Sequence, residues 1–115
     1  MSPSTVLVTG ASRFVGGHLA ARLAADPSID RVLAVDAVPP SRDLLRRMGR
    51  AEFFRVDLRS PLIAKVISTA KVDTVVHAAM TAYSAMQEIN VIGTMQLLAA
   101  CQKSAKVTQL IVKST

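Results

Sequence analysis

The sequence is poor in the residues that mark several classes of protein. It has one cysteine, Cys101, no tryptophan, one tyrosine and three phenylalanines among its 115 residues. A single cysteine excludes an intramolecular disulfide, and we expect a buried thiol in a reducing compartment. No apolar run reaches the roughly 20 residues that cross a bilayer, and residues 1–5 carry no basic leader. We therefore expect a cytoplasmic protein without a membrane anchor or a signal peptide.

Acidic residues are also few, since 8 Asp and Glu stand against 14 Lys and Arg, for a formal net charge of +6. Much of the excess positive charge comes from six arginines in one stretch of chain: Arg42, Arg46, Arg47, Arg50, Arg55 and Arg59. Such a cluster could attract phosphate or nucleic acid. The aromatic residues that would stack on bases are limited there to Phe53 and Phe54. We therefore interpret the cluster as a solvated helix face, and expect neither a nucleic-acid partner nor a metal site.

What the sequence does contain is a regular alternation of short apolar runs and amphipathic stretches. The apolar runs predict strands at 6–9, 31–35, 52–56, 72–76 and 107–112, and the stretches between them predict helices at 14–25, 41–50, 60–70 and 85–105. Ser60 and Pro61 predict a cap and a first-turn proline for the third helix. Alternating strands and helices with nearly continuous apolar strands are typical of a parallel sheet covered on both faces.

The handedness of parallel connections then restricts the topology. Right-handed crossovers favour the strand order 3-2-1-4-5, a Rossmann-like doubly wound α/β fold. In such a sheet a ligand crevice forms at the carboxyl ends of strands 1 and 4. We predict a single nucleotide-binding domain over residues 1–115.

The segment from Val6 to Leu23, VLVTGASRFVGGHLAARL, joins the first strand to the first helix. In a dinucleotide-binding turn, glycines permit a tight turn, a close approach of backbone to pyrophosphate, and a close helix–strand crossing. Gly10 and Gly16 suit the first and last of these roles, but Arg13 and Phe14 stand where a middle glycine could be. Two glycines alone are a weak signal, because a plain strand–helix connection would also explain them.

The second strand ends at Asp36, which lies 20 residues after Gly16. A carboxylate at this position can accept hydrogen bonds from the adenosine ribose hydroxyls and would repel a 2′-phosphate. Asp36 therefore predicts NAD rather than NADP as the cofactor. The alternative is a turn-forming aspartate that precedes Pro39.

Taken together, these motifs resemble those of the extended short-chain dehydrogenase/reductases, the NAD-dependent epimerase/dehydratase group. The Thr-Gly-x-x-Gly-x-x-Gly pattern of that group aligns with Thr9 to Gly16, and Arg13 is the one departure from its glycines. The pair Phe14-Val15 before Gly16 resembles the corresponding pair in the extended group more than that in the classical group. Four later segments match in order: VDLRS (56–60), VVHAA (75–79), NVIGT (90–94) and IVKST (111–115).

The resemblance implies a cofactor-binding set made of Gly10, Ser12, Arg13, Phe14, Val15, Gly16, Asp36, Asp57, Leu58, Ala78, Ala79 and Asn90. It implies that Asp57 hydrogen-bonds the adenine amino group and that Leu58 packs on the ring. Ala78 and Ala79 would let the backbone approach the nicotinamide ribose.

For the active site, the resemblance implies that Asn90 gives support and that Thr115 is the catalytic hydroxyl. Ser114 takes that role if the register slips by one residue.

Several of these residues also have plainer interpretations. Asp57 could form a capping turn before the third helix, Ala78 and Ala79 could serve helix–sheet packing, and a polar strand end explains Ser114 or Thr115 about as well. We interpret His77 as a hydrogen-bonded structural histidine rather than a proton shuttle.

Arg13 could fold over the pyrophosphate, or it could hold the loop away from it. We favour NAD binding that is retained but weakened.

The Tyr-x-x-x-Lys pair with which the family assists hydride transfer is missing from these 115 residues, because Tyr83 is followed four positions later by Gln87. The resemblance therefore implies the NAD-binding part of an epimerase, dehydratase or reductase that acts on a sugar nucleotide or a similar alcohol or carbonyl. We expect this chain to be truncated after strand 5 and incompetent for turnover. A non-catalytic NAD-sensing module is the alternative. Exposed apolar surface on residues 85–105 or on strand 5 predicts a homo-oligomer.

Overall fold

The computed structural model describes residues 4–12, 14–78 and 87–112. Strands and helices alternate along these residues in the following order: β1 (Thr5–Thr9), α1 (Phe14–Ala24), β2 (Arg31–Asp36), α2 (Arg42–Arg47), β3 (Glu52–Arg55), α3 (Leu62–Thr69), β4 (Thr74–His77), α4 (Gln87–Lys103) and β5 (Gln109–Val112). The strands form one parallel sheet with the order β3-β2-β1-β4-β5. The predicted Rossmann-like topology is therefore confirmed.

The central strand β1 is buried along its whole length, because β2 and β4 flank it and helices cover both of its faces. Successive side chains of a strand point to opposite faces, so β1 contributes to two cores. Val6 and Val8 pack in the core under α1, whereas Leu7 packs with Ile63 of α3 and Leu97 of α4 in the other. This double burial explains why the strand is apolar without alternation.

The helix α2 is shorter than the predicted span of 41–50. The Ser41 side chain caps it by accepting a hydrogen bond from the Leu44 N–H at 3.2 Å. The helix ends at Arg47, and Gly49 follows with a φ of 61°, in the left-handed region that suits glycine after a helix. The glycine therefore stops the helix before the end that the apolar pattern suggests.

The start of α3 also differs slightly from the prediction. The Ser60 hydroxyl accepts a hydrogen bond from the Leu62 N–H at 3.2 Å, as a capping residue would. The proline nevertheless occupies the position before the first helical residue rather than the first turn itself, so the helix begins at Leu62.

Arg50 does not lie on a solvated helix face, although three other members of the arginine cluster do lie on α2. Its guanidinium group donates hydrogen bonds to backbone carbonyls at the end of α1 and in the loop before β2. The acceptors are the carbonyls of Ala24 (2.5 Å), Asp26 (2.7 Å), Ile29 (2.6 Å) and Asp30 (2.9 Å). Arg50 therefore holds the loop between α1 and β2 in place through these four hydrogen bonds.

Among the described residues, no helix combines the length and the apolar character needed to span a membrane.

Candidate functional site

The turn between β1 and α1 folds back so tightly that one of its positions excludes any side chain. An ideal Cβ placed on Gly16 would lie 2.2 Å from the carbonyl oxygen of Gly10, far inside van der Waals contact. Gly10 itself has a φ of 68°, which residues with a side chain rarely adopt. The geometry therefore explains why glycine is required at both positions. Together the two glycines bring the start of α1 to the carboxyl end of β1.

The first turn of α1 presents backbone N–H groups at this edge of the sheet. The first N–H groups of a helix have no acceptor within the helix, and the helix dipole favours an anion there. The side chains of Phe14 and Val15 are 76% and 45% exposed, and the Phe14 ring lies against His18 with its centroid 4.3 Å away. Phe14 and Val15 are therefore surface residues rather than core residues, and their predicted contact with the cofactor stays a prediction.

The carboxylate of Asp36 bridges the turns that follow β1 and β2. Its Oδ2 accepts a hydrogen bond from the Ser12 N–H at 3.1 Å, and its Oδ1 accepts one from the Val38 N–H at 3.2 Å. The Ser12 hydroxyl donates in turn to the Val38 carbonyl. The structure thus brings Asp36 to the glycine turn. The hydrogen bond from Val38 also fits the alternative interpretation, in which Asp36 is a turn-forming aspartate before Pro39.

The carboxylate of Asp57 is held by its neighbour Arg59. The Arg59 N–H donates to Asp57 Oδ1 at 2.9 Å, and the guanidinium group donates to both carboxylate oxygens at distances from 2.6 to 3.2 Å. These hydrogen bonds, with the side-chain bonds the larger cause, lower the pKa of Asp57 below its ordinary value. The turn interpretation therefore has direct geometric support, and the adenine contact stays a prediction.

His77 ends β4 and is buried, with 2% of its surface exposed. Its Nδ1 lies 2.8 Å from Thr9 Oγ1, and its Nε2 lies 2.9 Å from Thr94 Oγ1. Because Thr9 Oγ1 already accepts the Ala78 N–H at 2.9 Å, its own hydrogen can go to Nδ1, and Nε2–H can donate to Thr94. Burial lowers the pKa of His77, which favours this neutral ring. His77 is thus a hydrogen-bonded link between β1, β4 and α4.

Gly93 and Thr94 of α4 have contacts that the sequence pattern did not predict. A Cβ on Gly93 would lie 3.3 Å from the Cβ of Leu58, so the glycine lets Leu58 pack closely against the helix. A glycine inside a helix of good formers was the available signal for this contact. No comparable signal marked Thr94 as the partner of His77.

The remaining predicted residues are not placed by the structure. Arg13, Ala79, Ser114 and Thr115 lie outside the described residues, as does the side chain of Asn90, whose backbone belongs to α4. Their predicted roles stay predictions. Over residues 4–12, 14–78 and 93–112, no three His, Cys, Asp or Glu side chains are grouped so that they could hold a metal ion.

The comparisons with known proteins agree with this geometry. The model of the NAD dependent epimerase/dehydratase family matches residues 6–115. An uncharacterized protein of Mycobacterium tuberculosis is 59% identical over 120 residues, an alignment that covers 98% of this chain and 32% of that protein.

Solved structures give the same result. A UDP-glucose 4-epimerase of Thermotoga maritima, solved with UDP-glucose, has a TM-score of 0.82 and 26% identity over 96% of this chain and 38% of its own. A UDP-glucose 4-epimerase of Thermus thermophilus, solved with NAD, has a TM-score of 0.74 and 27% identity over 91% of this chain and 36% of its own. The chain spans about a third of the length of these relatives. It belongs to the NAD-dependent epimerase/dehydratase family.

Proposed function

We propose that this chain binds NAD across the start of α1 and is the cofactor-binding part of an epimerase, dehydratase or reductase. The observation that carries the proposal is the position of Asp36. Its carboxylate is held beside the glycine turn by the Ser12 N–H at 3.1 Å, at the carboxyl edge where Rossmann-like sheets bind nucleotides.

The described residues fit a dinucleotide. The absence of a Cβ at Gly16 and the turn at Gly10 bring the first-turn N–H groups of α1 to the edge, where they would bind the pyrophosphate. Each oxygen of Asp36 accepts one backbone hydrogen bond and keeps a second lone pair, which can accept a ribose hydroxyl. A 2′-phosphate would meet this carboxylate instead, so we propose a preference for NAD over NADP.

The other end of the cofactor would lie along β4. The Ala78 N–H donates to Thr9 Oγ1 at 2.9 Å, and we propose that the Ala78 backbone lies beside the nicotinamide ribose. At the adenosine end, we propose that Asp57 and Leu58 contact the adenine. NAD, when bound, supplies a hydride acceptor and donor at the nicotinamide. These 115 residues contain no Tyr-x-x-x-Lys pair, so we propose that they bind and orient the cofactor without turning it over by themselves.

The nature of the substrate is proposed from the relatives. The Thermotoga maritima structure carries UDP-glucose and the Thermus thermophilus structure carries NAD. We propose a sugar nucleotide or a similar alcohol or carbonyl as the substrate of the enzyme to which this part belongs.

Self-association and cytoplasmic location are also part of the proposal. Met95 and Leu98 of α4 are 64% and 40% exposed, and Ile111 and Val112 of β5 are about half exposed. Apolar surface of this kind favours contact with a second copy. Sedimentation analysis would test for the homo-oligomer.

Calorimetry with NAD and NADP tests the cofactor proposal. The Asp36→Ala variant removes the ribose acceptor, and we expect NAD affinity to fall at least about tenfold, because hydrogen bonds to a charged group contribute about 1.5–3 kcal/mol. Asp30→Ala is the matched control, since Asp30 precedes β2 at its opposite end and carries the same charge. The control should bind NAD like the parent. Absence of NAD binding by the parent, or unchanged affinity in Asp36→Ala, would overturn the proposal.

A further inference from the structure

The segment from Asp36 to Val38 is held on both sides by the rest of the fold. On one side lies the glycine turn, where Ser12 uses its N–H for Asp36 Oδ2 and its hydroxyl for the Val38 carbonyl. On the other side lies β3. The Arg55 Nε donates to the Ala37 carbonyl at 3.1 Å, and the Val56 N–H donates to the Asp36 carbonyl at 3.0 Å. The carboxylate therefore stands on a backbone that is fixed independently of any ligand.

Ser12 makes two of these contacts, and it makes them to two different residues. Its N–H orients the carboxylate directly, whereas its hydroxyl holds the loop two residues further along the chain. The hydroxyl is directed at the protein rather than at the space over α1. A backbone N–H is present in any residue at this position, so the hydroxyl is what serine specifically contributes.

A cation lies against the backbone directly after Asp36. Arg55 is paired with Asp36 in the parallel register of β2 and β3, and its guanidinium group lies against Ala37, directly after Asp36. If the loop moved and carried the carboxylate away, Arg55 would be well placed to attract a 2′-phosphate. The fixed position of Asp36 is thus what opposes binding of the phosphorylated cofactor.

We infer that the Ser12 hydroxyl is a positioning group that sets the selectivity for NAD over NADP, by locking the loop after β2 and so the carboxylate of Asp36. This inference rests on the proposed function, because it assumes that Asp36 faces the adenosine ribose. Ser12 itself need not touch the cofactor through its side chain.

The test compares dissociation constants for NAD and NADP, measured by calorimetry, in the parent and in three variants. Ser12→Ala removes the hydroxyl, and Ser12→Thr keeps one. Ser28→Ala is the matched control, because the Ser28 hydroxyl also stabilises an exposed turn, by donating to Asp26 Oδ1 at 2.7 Å. Thermal unfolding of each variant measures any general loss of stability.

We expect Ser12→Ala to reduce the NAD-to-NADP affinity ratio about five- to tenfold, the equivalent of one hydrogen bond. Ser12→Thr should recover the parent ratio, and Ser28→Ala should not change it. An unchanged ratio in Ser12→Ala, or equal weakening of both cofactors, would overturn the inference.

These results also separate the two proposals. If the parent binds NAD and Asp36→Ala does not, but Ser12→Ala keeps the parent ratio, only the role of Ser12 is wrong. If the parent does not bind NAD, the proposed function is wrong and the inference falls with it.

Discussion

At the amino edge of the sheet Asp73 accepts hydrogen bonds from the N–H groups of Ser4 and Thr5, and at the carboxyl edge Asp36 accepts them from Ser12 and Val38. Both carboxylates bind two backbone N–H groups at about 3 Å. The backbone of Asp73 also donates to the Thr5 carbonyl and accepts from the N–H groups of Thr108 and Gln109, whereas the backbone carbonyl of Asp36 accepts from the Val56 N–H after β3. Asp73 therefore joins the starts of β1, β4 and β5, whereas the carboxylate of Asp36 joins the two loops that follow β1 and β2.

Under the proposed function, one kind of contact serves stability at one edge and binding at the other. At the amino edge, Asp73 and Arg50 bind backbone groups of elements that must stay together. At the carboxyl edge, Asp36 is held beside a helix start and a glycine turn, and it is only partly buried. Substitutions at the amino edge should thus lower stability alone, while those at the carboxyl edge should lower NAD affinity.

The largest effect is expected from Gly16→Ala, which tests whether the carboxyl edge tolerates any rearrangement. The new methyl group would lie 2.2 Å from the Gly10 carbonyl oxygen, so the start of α1 must move. We expect the free energy of unfolding to fall by about 2–3 kcal/mol, as for other overpacked sites, and NAD binding to be lost. Urea denaturation and calorimetry measure the two effects.

Gly93→Ala is the control for that substitution. Its methyl group would lie 3.3 Å from the Leu58 Cβ, which must shift by a few tenths of an ångström, and alanine is favoured over glycine in a helix by about 1 kcal/mol. We expect a change within about 1 kcal/mol. If the two variants were equally destabilised, the close approach at Gly16 would not be what constrains the turn.

The next largest effect is expected from Asp73→Ala at the amino edge. Two N–H groups of the chain leading into β1 lose their acceptor, and we expect the free energy of unfolding to fall by about 1–3 kcal/mol. NAD affinity, measured on the folded variant, should equal that of the parent. A marked loss of NAD affinity in Asp73→Ala would contradict the view that the amino edge contributes to stability alone.

Much of this division could be predicted from the sequence. The alternation of apolar runs and the crossover rule restricted the topology to one strand order, and that order brings Asp36 to the glycine turn. The role of Arg50 could not be predicted, because its four acceptors are backbone carbonyls whose positions depend on how α1 and β2 pack. The hydrogen bond between His77 and Thr94 could not be predicted either, because the two residues are 17 positions apart and meet only when α4 packs against β4.

A smaller effect, of opposite sign, is expected at Lys71, which follows α3 at the amino edge. Lys71 has a φ of 56°, in the left-handed region that favours glycine. Lys71→Gly should therefore raise the free energy of unfolding by about 1 kcal/mol. Lys65→Gly, inside α3, should lower it by about the same amount. A loss of stability in Lys71→Gly would show that the lysine side chain contributes more than the strain it causes.

The smallest effect is expected from the protonation of His77 at the carboxyl edge. Burial lowers its pKa in the folded state, whereas the unfolded chain titrates near the ordinary value of about 6.5. Between these two values the unfolded state binds a proton that the folded state does not, so stability rises with pH and is lost as the pH falls below about 6.5. The loss should level off once the pH is below the pKa of the folded state.

Denaturation midpoints between pH 8 and pH 5 measure this dependence in the parent, in His77→Gln and in the control His18→Gln, since His18 is the other histidine and is exposed. The parent and the control should lose more stability on acidification than His77→Gln, whatever the stability of that variant at pH 8. If stability depended on pH identically in all three proteins, His77 could be protonated in the folded state without losing its contacts with Thr9 and Thr94. His77 would then place no constraint on the pH at which the carboxyl edge stays folded.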